Sequence, residues 1–426
     1  MENKDAREFP IIVGLFYGDE GKGTTVDFLC SQAPVDYVVR FSGGPQTAHN
    51  VVTADGREHT FSQFGSGTFQ GAGTLISQYM LVNPFNMVVE ANDLHRLTGK
   101  DPFVDTYISE SALMITPLHV DANQQREINR GKDAHGSCGE GIGETRAYAL
   151  YETPDDPIRI GDMENPEILR AKMAALKIYL EKDIPGFKYA HDIEETIDGY
   201  RRLLNERPFR IMSDAFISEL LVNEKLNFVF EGSQGILLDE SFGFHPHTTW
   251  SDVTSAKAYE LIRQAGLSAS VGKTIGITRT YATRHGFGPF PSEFPTHFDW
   301  AEFYPEKHND WGRFQGSWRA GELDVSLLEY AVKVNGGIHA IALTHCDIPP
   351  VQVVMGWEHD IVPVAVKDLE YQESLTNMLN RLNVPVVKIL NERDPLADMI
   401  AILQERLNAP VEILSYGPKA QDKKQL

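Results

Sequence analysis

The feature that most restricts the fold of this chain is a glycine-rich loop that follows an apolar run. Residues 9–13 read FPIIV, residues 14–25 read GLFYGDEGKGTT, and KGTTVDFLCSQA has the composition of a helix. A second apolar run, DYVVRFS, comes next. A strand, a loop, a helix and a second strand predict a βαβ unit, in which the two strands lie parallel in one sheet.

The rest of the chain repeats this alternation. Strands are predicted at NFVFEG, KTIGITRTY, GIHAIALTH, VPVVKIL and VEILSY, and helices at 252–265, 323–335 and 395–407. The segment NVVTADGREHTF predicts a hairpin that turns at Asp55 and Gly56. We therefore expect the α/β class, with a mostly parallel, doubly wound sheet.

Strand signals are scarce in the middle of the chain. Residues 163–182 predict a long helix, with Asn165 as its N-cap and Pro166 in its first turn. We interpret about 118–222 as a helical insertion into a single domain that spans 1–426.

Composition excludes several classes of protein. The chain has 426 residues and a net charge of −21, whereas a general nucleic-acid binder needs a basic face. No apolar run approaches the ~20 residues that span a membrane. The three cysteines are far apart and the N-terminus lacks the features of a signal peptide, so we expect a cytoplasmic protein.

The glycine-rich loop is suited to a phosphate. Its main-chain N–H groups and the following helix N-terminus can bind an anion, and Lys22 can offset its charge. The loop departs from the common P-loop because Gly23, not Ser or Thr, follows Lys22, and because Asp19 and Glu20 lie inside it. Such a carboxylate can hold Mg²⁺ or take a proton from a substrate. The alternative is an acidic turn without a ligand.

Other polar segments follow predicted strands. His49 in GGPQTAHN could donate to a phosphate, and Gln234 in FEGSQGILLDE could contact a base. The glycines and hydroxyls of HGSCGEGIGET suit a phosphate-binding turn. Arg313 and Arg319 could bind a carboxylate, and Asp347 in LTHCD could accept two N–H groups of guanine. Packing or surface roles are the alternatives, and HPHTT lacks a third ligand for a metal.

Together, these segments resemble the adenylosuccinate synthetase family over nearly the whole chain. GDEGKG, TYATRHGFGPFPSE, ALTHCD and LSYGP resemble its hallmark segments in the same order. The resemblance implies that Asp19 is the general base for a purine N1–H, that His49 stabilises the leaving diphosphate, and that Lys22 and Gln234 complete the catalytic set. It also implies a guanine-site subregion at about 336–426.

The resemblance implies further contacts for each ligand. The purine nucleotide and the amino acid would be contacted by Gln46, Ser137, Cys138, Thr249, Arg313 and Arg319. GTP would be contacted by Gly18, Glu20, Gly21, Lys22, Gly23, Asp347, Ser415 and Gly417. Mg²⁺ would be bound by Asp19 and Ala48.

The function that the resemblance implies is a ligase. It would join L-aspartate to a 6-oxopurine nucleotide, most simply IMP, with GTP hydrolysis through a 6-phosphoryl intermediate, in a homodimer. One alternative is GMP or dGMP as the substrate, which gives a 2-amino product; retention of Asp19 favours IMP. Another is a purine-nucleotide-binding regulator without turnover, against which Asp19, Lys22, His49 and Gln234 argue.

Overall fold

The computed structural model describes residues 7–131, 136–151, 157–295, 316–358 and 368–426. Its centre is a sheet of ten strands. From one edge to the other these are β19 (Lys423–Gln425), β18 (Val411–Ser415), β15 (Ala340–Thr344), β11 (Gly272–Arg279), β1 (Phe9–Gly14), β10 (Phe228–Gly235), β2 (Tyr37–Arg40), β5 (Gly73–Ile76), β7 (Thr106–Ser109) and β9 (Ile211–Met212).

Neighbouring strands of this sheet run parallel, except that β19 is antiparallel to β18. The two strands of the opening unit, β1 and β2, are parallel as expected, but β10 lies between them. The sheet therefore brings the residues that follow β1, β2, β10, β11 and β15 to one edge.

Alternate residues of β1 face two different apolar clusters. Ile11 and Val13 belong to a cluster with side chains from the C-terminal helices, whereas Ile12 packs with Val26 and Phe28. Both faces are thus covered, which confirms a doubly wound α/β fold. The described helices are α1 (Lys22–Gln32), α2 (Pro84–Thr98), α3 (Pro117–Arg130), α4 (Ile142–Tyr151), α5 (Pro166–Asp183), α6 (Ile193–Glu206), α7 (Asp214–Val222), α8 (Ala256–Gln264), α9 (Val325–Val334), α10 (Leu369–Leu379) and α11 (Pro395–Leu407).

The region interpreted as an insertion is mostly helical. It holds α3 to α7 and the short strand β9, and several of its apolar side chains share a cluster with α2. Helix α5 begins as predicted, because the Asn165 side chain accepts hydrogen bonds from the N–H groups of Glu167 and Ile168. The description of residues 118–222 as an insertion stays an interpretation.

Smaller sheets complete the fold. The predicted hairpin is confirmed, since β3 (His49–Val52) pairs antiparallel with β4 (Glu58–Phe61). The predicted strand VPVVKIL lies outside the main sheet, as β17 (Val386–Ile389) beside β16 (Gln352–Gly356), which also pairs with β14 (Leu323–Asp324). The remaining strands are β6 (Leu81–Val82) with β8 (Leu113–Met114), and β12 (Ala282–His285) with β13 (Trp318–Gly321). Among the described helices, none has the length and hydropathy to cross a membrane.

Candidate active site

The loop between β1 and α1 is held together by one of its own carboxylates. Glu20, which is 1% exposed, accepts hydrogen bonds from the main-chain N–H groups of Phe16 (3.0 Å) and Gly18 (2.9 Å). Its second oxygen lies 2.8 Å from Lys22 Nζ. The Glu20 side chain therefore shapes the loop, and only its main chain is available for the GTP contact that the sequence analysis assigned to it.

The departure from the P-loop pattern at Gly23 has a steric reason. A Cβ atom at Gly23 would lie 2.5 Å from the Cβ of His49 and 2.9 Å from Ser66 Oγ. Any side chain here would displace the hairpin strand that carries His49. Glycine thus lets the start of α1 approach the second loop closely.

Asp19 presents a carboxylate to the cavity below this loop. Its φ of 59° is left-handed, a conformation that Asp tolerates better than most residues. Its Oδ2 lies 3.0 Å from Nε2 of His285, at the end of β12, and Arg279 Nε donates to its main-chain oxygen at 2.5 Å. Burial raises the pKa of Asp19, but His285, Arg279 and Lys22 outweigh it and hold the pKa at about 2. Asp19 is therefore an anion at neutral pH.

His49 forms a buried pair with Glu231 of β10. The two side chains are joined at 2.6 Å between Nδ1 and Oε1, and Glu231 also accepts hydrogen bonds from the N–H and the hydroxyl of Ser66. Burial raises the pKa of Glu231, yet Arg40, His49 and Ser66 bring it to about 2. The other ring nitrogen of His49, Nε2, is buried and has no partner among the described residues.

Burial also lowers the pKa of His49, despite the opposing effect of Glu231. The ring is therefore neutral at neutral pH, with its proton on Nδ1 towards the carboxylate. A polyanion placed at Nε2 would favour protonation there. This arrangement suits a histidine that becomes a donor when phosphate binds.

Two glutamine side chains also have unmatched polar atoms. Gln234, at φ 56° near the end of β10, has a buried Oε1 without a hydrogen-bond partner in the described structure. Neither the oxygen nor the nitrogen of the Gln46 amide has one. Because buried polar atoms are nearly always paired, these amides indicate a polar ligand.

These groups line one cavity of about 800 Å³. Ser137 and Cys138 lie on its wall, where Ser137 Oγ donates to Asn123 at 2.9 Å and burial raises the pKa of the Cys138 thiol to about 11. The residues of the sequence analysis that line the cavity are Gly18, Asp19, Gly21, Lys22, Gly23, Gln46, Ala48, His49, Ser137, Cys138, Gln234 and Thr249.

The predicted guanine segments lie beside this cavity. Cys346 N–H donates to the Ser415 carbonyl at 2.8 Å, which joins the ends of β15 and β18. Asp347 is exposed, and the Ser415 hydroxyl donates to the Gly417 carbonyl at 3.1 Å. None of Asp347, Ser415 and Gly417 lines the large cavity, whereas His345 does. Burial and the nearby Arg279 hold the pKa of His345 well below 6.5, so it is neutral.

The predicted amino-acid site is the part that the structure supports least. Arg313 lies outside the described residues. Arg319 does not line the cavity. It forms a two-pronged ion pair with Glu293 and donates to the carbonyls of Gly286 and Gly288, both at 3.0 Å. These contacts hold the 286–293 loop in place.

The sequence analysis missed Arg284 and His285, which line the cavity, and Glu231, which pairs with the cavity residue His49. Arg284 is 2% exposed, lies over the Tyr17 ring at 4.1 Å and donates to the carbonyls of Phe287 and Pro289. Burial lowers its pKa to about 10, which still leaves it charged. The sequence does indicate Glu231, because a carboxylate in the apolar strand FVFEG needs a partner. No sequence pattern indicates His285.

Comparison with known proteins assigns the family. The model that describes adenylosuccinate synthetase matches residues 11–423. The chain belongs to this family. It is 30% identical over 427 residues to the adenylosuccinate synthetase of Thermobifida fusca, with 96% of each chain covered. It is 28% identical over 431 residues to that of Buchnera aphidicola, with 97% of each covered.

Solved structures support the same fold. The fully ligated adenylosuccinate synthetase of Plasmodium falciparum superimposes with a TM-score of 0.80 at 20% identity, covering 98% of this chain and 100% of that one. The succinoaminodeoxyadenylate synthetase of cyanophage S-2L, bound to dGMP and dATP, gives 0.64 at 17% identity, covering 99% and 95%.

Family membership settles the class of reaction. Adenylosuccinate synthetases are C–N ligases of purine biosynthesis that bind GTP, so this chain is an enzyme that joins aspartate to a purine nucleotide. The cavity of this adenylosuccinate synthetase homologue is where the unmatched polar atoms of Gln46, His49 and Gln234 converge.

Proposed function

We propose that this ligase joins L-aspartate to IMP, with GTP as the phosphoryl donor, and that its product is adenylosuccinate. The observation that carries the proposal is the Asp19 carboxylate, which lines the same cavity as the unmatched atoms of His49 and Gln234. A purine beside Asp19 can lose its N1 proton, and phosphates beside His49 can gain a hydrogen bond.

The chemistry has two steps. Asp19 takes the proton from N1, and the electrons of that bond make the 6-oxygen a nucleophile. A bond forms between this oxygen and the γ-phosphorus of GTP, while the bond from that phosphorus to the β-phosphate oxygen breaks. The amine of aspartate then forms a bond to C6, the 6-oxygen leaves with the phosphoryl group as phosphate, and the new C–N nitrogen loses one proton to solvent.

The loop residues stabilise the charge that moves during phosphoryl transfer. Lys22, at the start of α1, and the N–H groups of Gly21 and Gly23 are suited to the donor phosphates. His49 Nε2 is suited to the leaving diphosphate. The ion pair with Glu20 orients Lys22 at the floor of the loop.

The purine nucleotide has its own proposed contacts. Gln234 would contact the base, whereas Gln46, Ser137, Cys138 and Thr249 would surround the 5′-phosphate. All five line the cavity, and the amides of Gln46 and Gln234 have polar atoms without a hydrogen-bond partner among the described residues. For the aspartate carboxylates we retain Arg313, and we assign Arg319 to the support of the 286–293 loop.

The donor set of the cavity fits Mg²⁺. Mg²⁺ prefers oxygen ligands and is usually held by one or two carboxylates together with phosphates and water. Asp19 offers carboxylate lone pairs and Ala48 offers a main-chain carbonyl at the cavity, whereas the described residues contain no cluster of three or more His, Cys, Asp or Glu that could hold a metal. When bound, Mg²⁺ would offset the charge of the donor phosphates.

The GTP base would lie at the ends of β15 and β18. Asp347 can accept both N1–H and the 2-amino group of guanine, with the main chains of Ser415 and Gly417 alongside. We also propose a homodimer, from the resemblance, and a cytoplasmic location, which the three unpaired cysteines support.

A matrix of substrates tests this proposal. IMP, GMP and dGMP are each incubated with aspartate or another amino acid, GTP or ATP, and Mg²⁺, and products are identified by mass. We expect adenylosuccinate from IMP, aspartate and GTP at the highest kcat/KM, and a dimer by sedimentation. Faster turnover of GMP or dGMP would contradict the assignment of IMP, and a lack of any product would favour a regulator.

A further inference from the structure

The base of the proposed reaction has one engaged oxygen and one open oxygen. Oδ2 of Asp19 is held at 3.0 Å by His285 Nε2, whereas Oδ1 has no hydrogen-bond partner among the described residues. The two side chains are 26% and 19% exposed, and both line the large cavity. A substrate therefore meets this pair from the Oδ1 side.

The contact has a definite direction. A carboxylate oxygen accepts hydrogen bonds, so the hydrogen bond between Asp19 and His285 is donated by the ring. Nε2 of His285 must then carry the hydrogen, whether the ring is neutral or charged. The main chain of His285 is held in place because His285 pairs with Trp318 in the β12–β13 ladder. Arg279 bonds to the main-chain oxygen of Asp19 and leaves the carboxylate to His285.

We propose that His285 determines purine specificity by engaging Oδ2 of Asp19, so that the imidazole N–H stands beside the one carboxylate oxygen left open to the purine, which favours IMP over GMP. This inference rests on the proposed function, in which Asp19 receives the N1 proton. It adds a residue and a reason for the choice of base.

The physical argument compares two purine edges. Hypoxanthine has one donor at this edge, N1–H, and one open oxygen satisfies it. Guanine adds a 2-amino group, and a carboxylate with both oxygens open could accept both donors. With Oδ2 engaged, the 2-amino group faces the N–H of His285, which keeps Oδ2 as its own partner, so the 2-amino group finds no acceptor there. An unsatisfied buried donor costs about 1–3 kcal/mol, which is roughly 5- to 150-fold in affinity.

Two substitutions separate hydrogen bonding from shape. His285→Leu removes the donor and frees Oδ2, whereas His285→Gln keeps an N–H donor on a side chain of similar reach. The dissociation constants of IMP and GMP are measured by calorimetry in EDTA, without GTP or aspartate, so that neither metal nor turnover contributes. Thermal unfolding identifies any variant that does not fold.

We expect the wild-type protein and His285→Gln to bind IMP more tightly than GMP. In His285→Leu this ratio should fall about tenfold or more, mainly through tighter GMP binding. An unchanged ratio in folded His285→Leu, or the same fall in His285→Gln, would overturn the inference.

The substrate matrix distinguishes the two proposals. If IMP binds with the expected ratio but gives no product, the proposed function fails and the role of His285 stands. If adenylosuccinate is formed but the ratio of the GMP and IMP dissociation constants is the same in wild type and His285→Leu, the inference fails and the function stands.

Discussion

The loop at residues 18–23 and the segment at 316–321 both carry basic side chains that the family resemblance assigns to substrates. In the loop, Lys22 lies against Glu20 and also lines the cavity. In the segment, Arg319 pairs with Glu293 and with two carbonyls, and it lies outside the cavity lining. A residue that matches a family pattern can therefore line the cavity or lie outside its lining.

The loop side of this comparison predicts the largest effect. Asp19→Asn keeps the shape of the side chain but removes the proton acceptor, so turnover should fall by ~10² or more. Steady-state kcat with IMP, aspartate and GTP measures it, and unchanged thermal unfolding shows that the fold is intact. Near-normal turnover would mean that Asp19 is not the base.

A second substitution tests the support of His49. Glu231→Gln removes the negative charge that stabilises a protonated His49, and kcat should fall by roughly 10- to 100-fold with little change in KM. Ser66→Ala is the control, since it removes one hydrogen bond to Glu231 and keeps the charge. An equal loss in both variants would assign the effect to packing.

The donor-base site predicts an intermediate effect. Asp347→Asn replaces one acceptor by an amide donor, so the GTP/ATP ratio of kcat/KM should fall about tenfold. The ratio is compared with that of Glu392→Gln, at an exposed carboxylate on the chain that leads to α11. A wild-type preference for ATP, or an unchanged ratio in Asp347→Asn, would exclude Asp347 as the reader of guanine.

The sequence allowed more to be predicted about the first loop than about the cavity wall. Strand, loop and helix signals are local, and the four residues that they singled out, Asp19, Lys22, His49 and Gln234, line one cavity. The contact of Asp19 with His285 joins positions 266 residues apart in sequence, and no local pattern reports it. Arg319 shows the same limit, because its ion pair with Glu293, 26 residues away in sequence, is not reported by any local pattern.

The pair of His49 and Glu231 also predicts a dependence on pH. Burial lowers the pKa of His49 in the folded, nucleotide-free protein, so protons bind the unfolded chain more readily. Stability should therefore be lost as pH falls below ~6.5, the ordinary pKa of histidine. Denaturant unfolding from pH 7.5 to pH 5.5 should show a smaller loss in His49→Gln, by about 1 kcal/mol. Equal losses in the two proteins would place the sensitivity elsewhere.

The smallest effect should come from substitution of Arg319. The informative result is whether KM rises for both substrates or for aspartate alone. Arg319→Leu leaves Glu293 and the carbonyls of Gly286 and Gly288 without their donor. The pair is partly exposed, so we expect only about 1 kcal/mol of lost stability. The 286–293 loop carries Phe287, which lines the cavity, so KM for IMP and for aspartate should both rise by a similar factor of about two to three. Arg319→Lys keeps the charge without the planar fork of the guanidinium, so its KM values and stability should lie between those of the wild type and Arg319→Leu. A rise of tenfold or more in the aspartate KM alone would show that Arg319 leaves Glu293 to bind the amino acid, and the distinction between the two segments would then be lost.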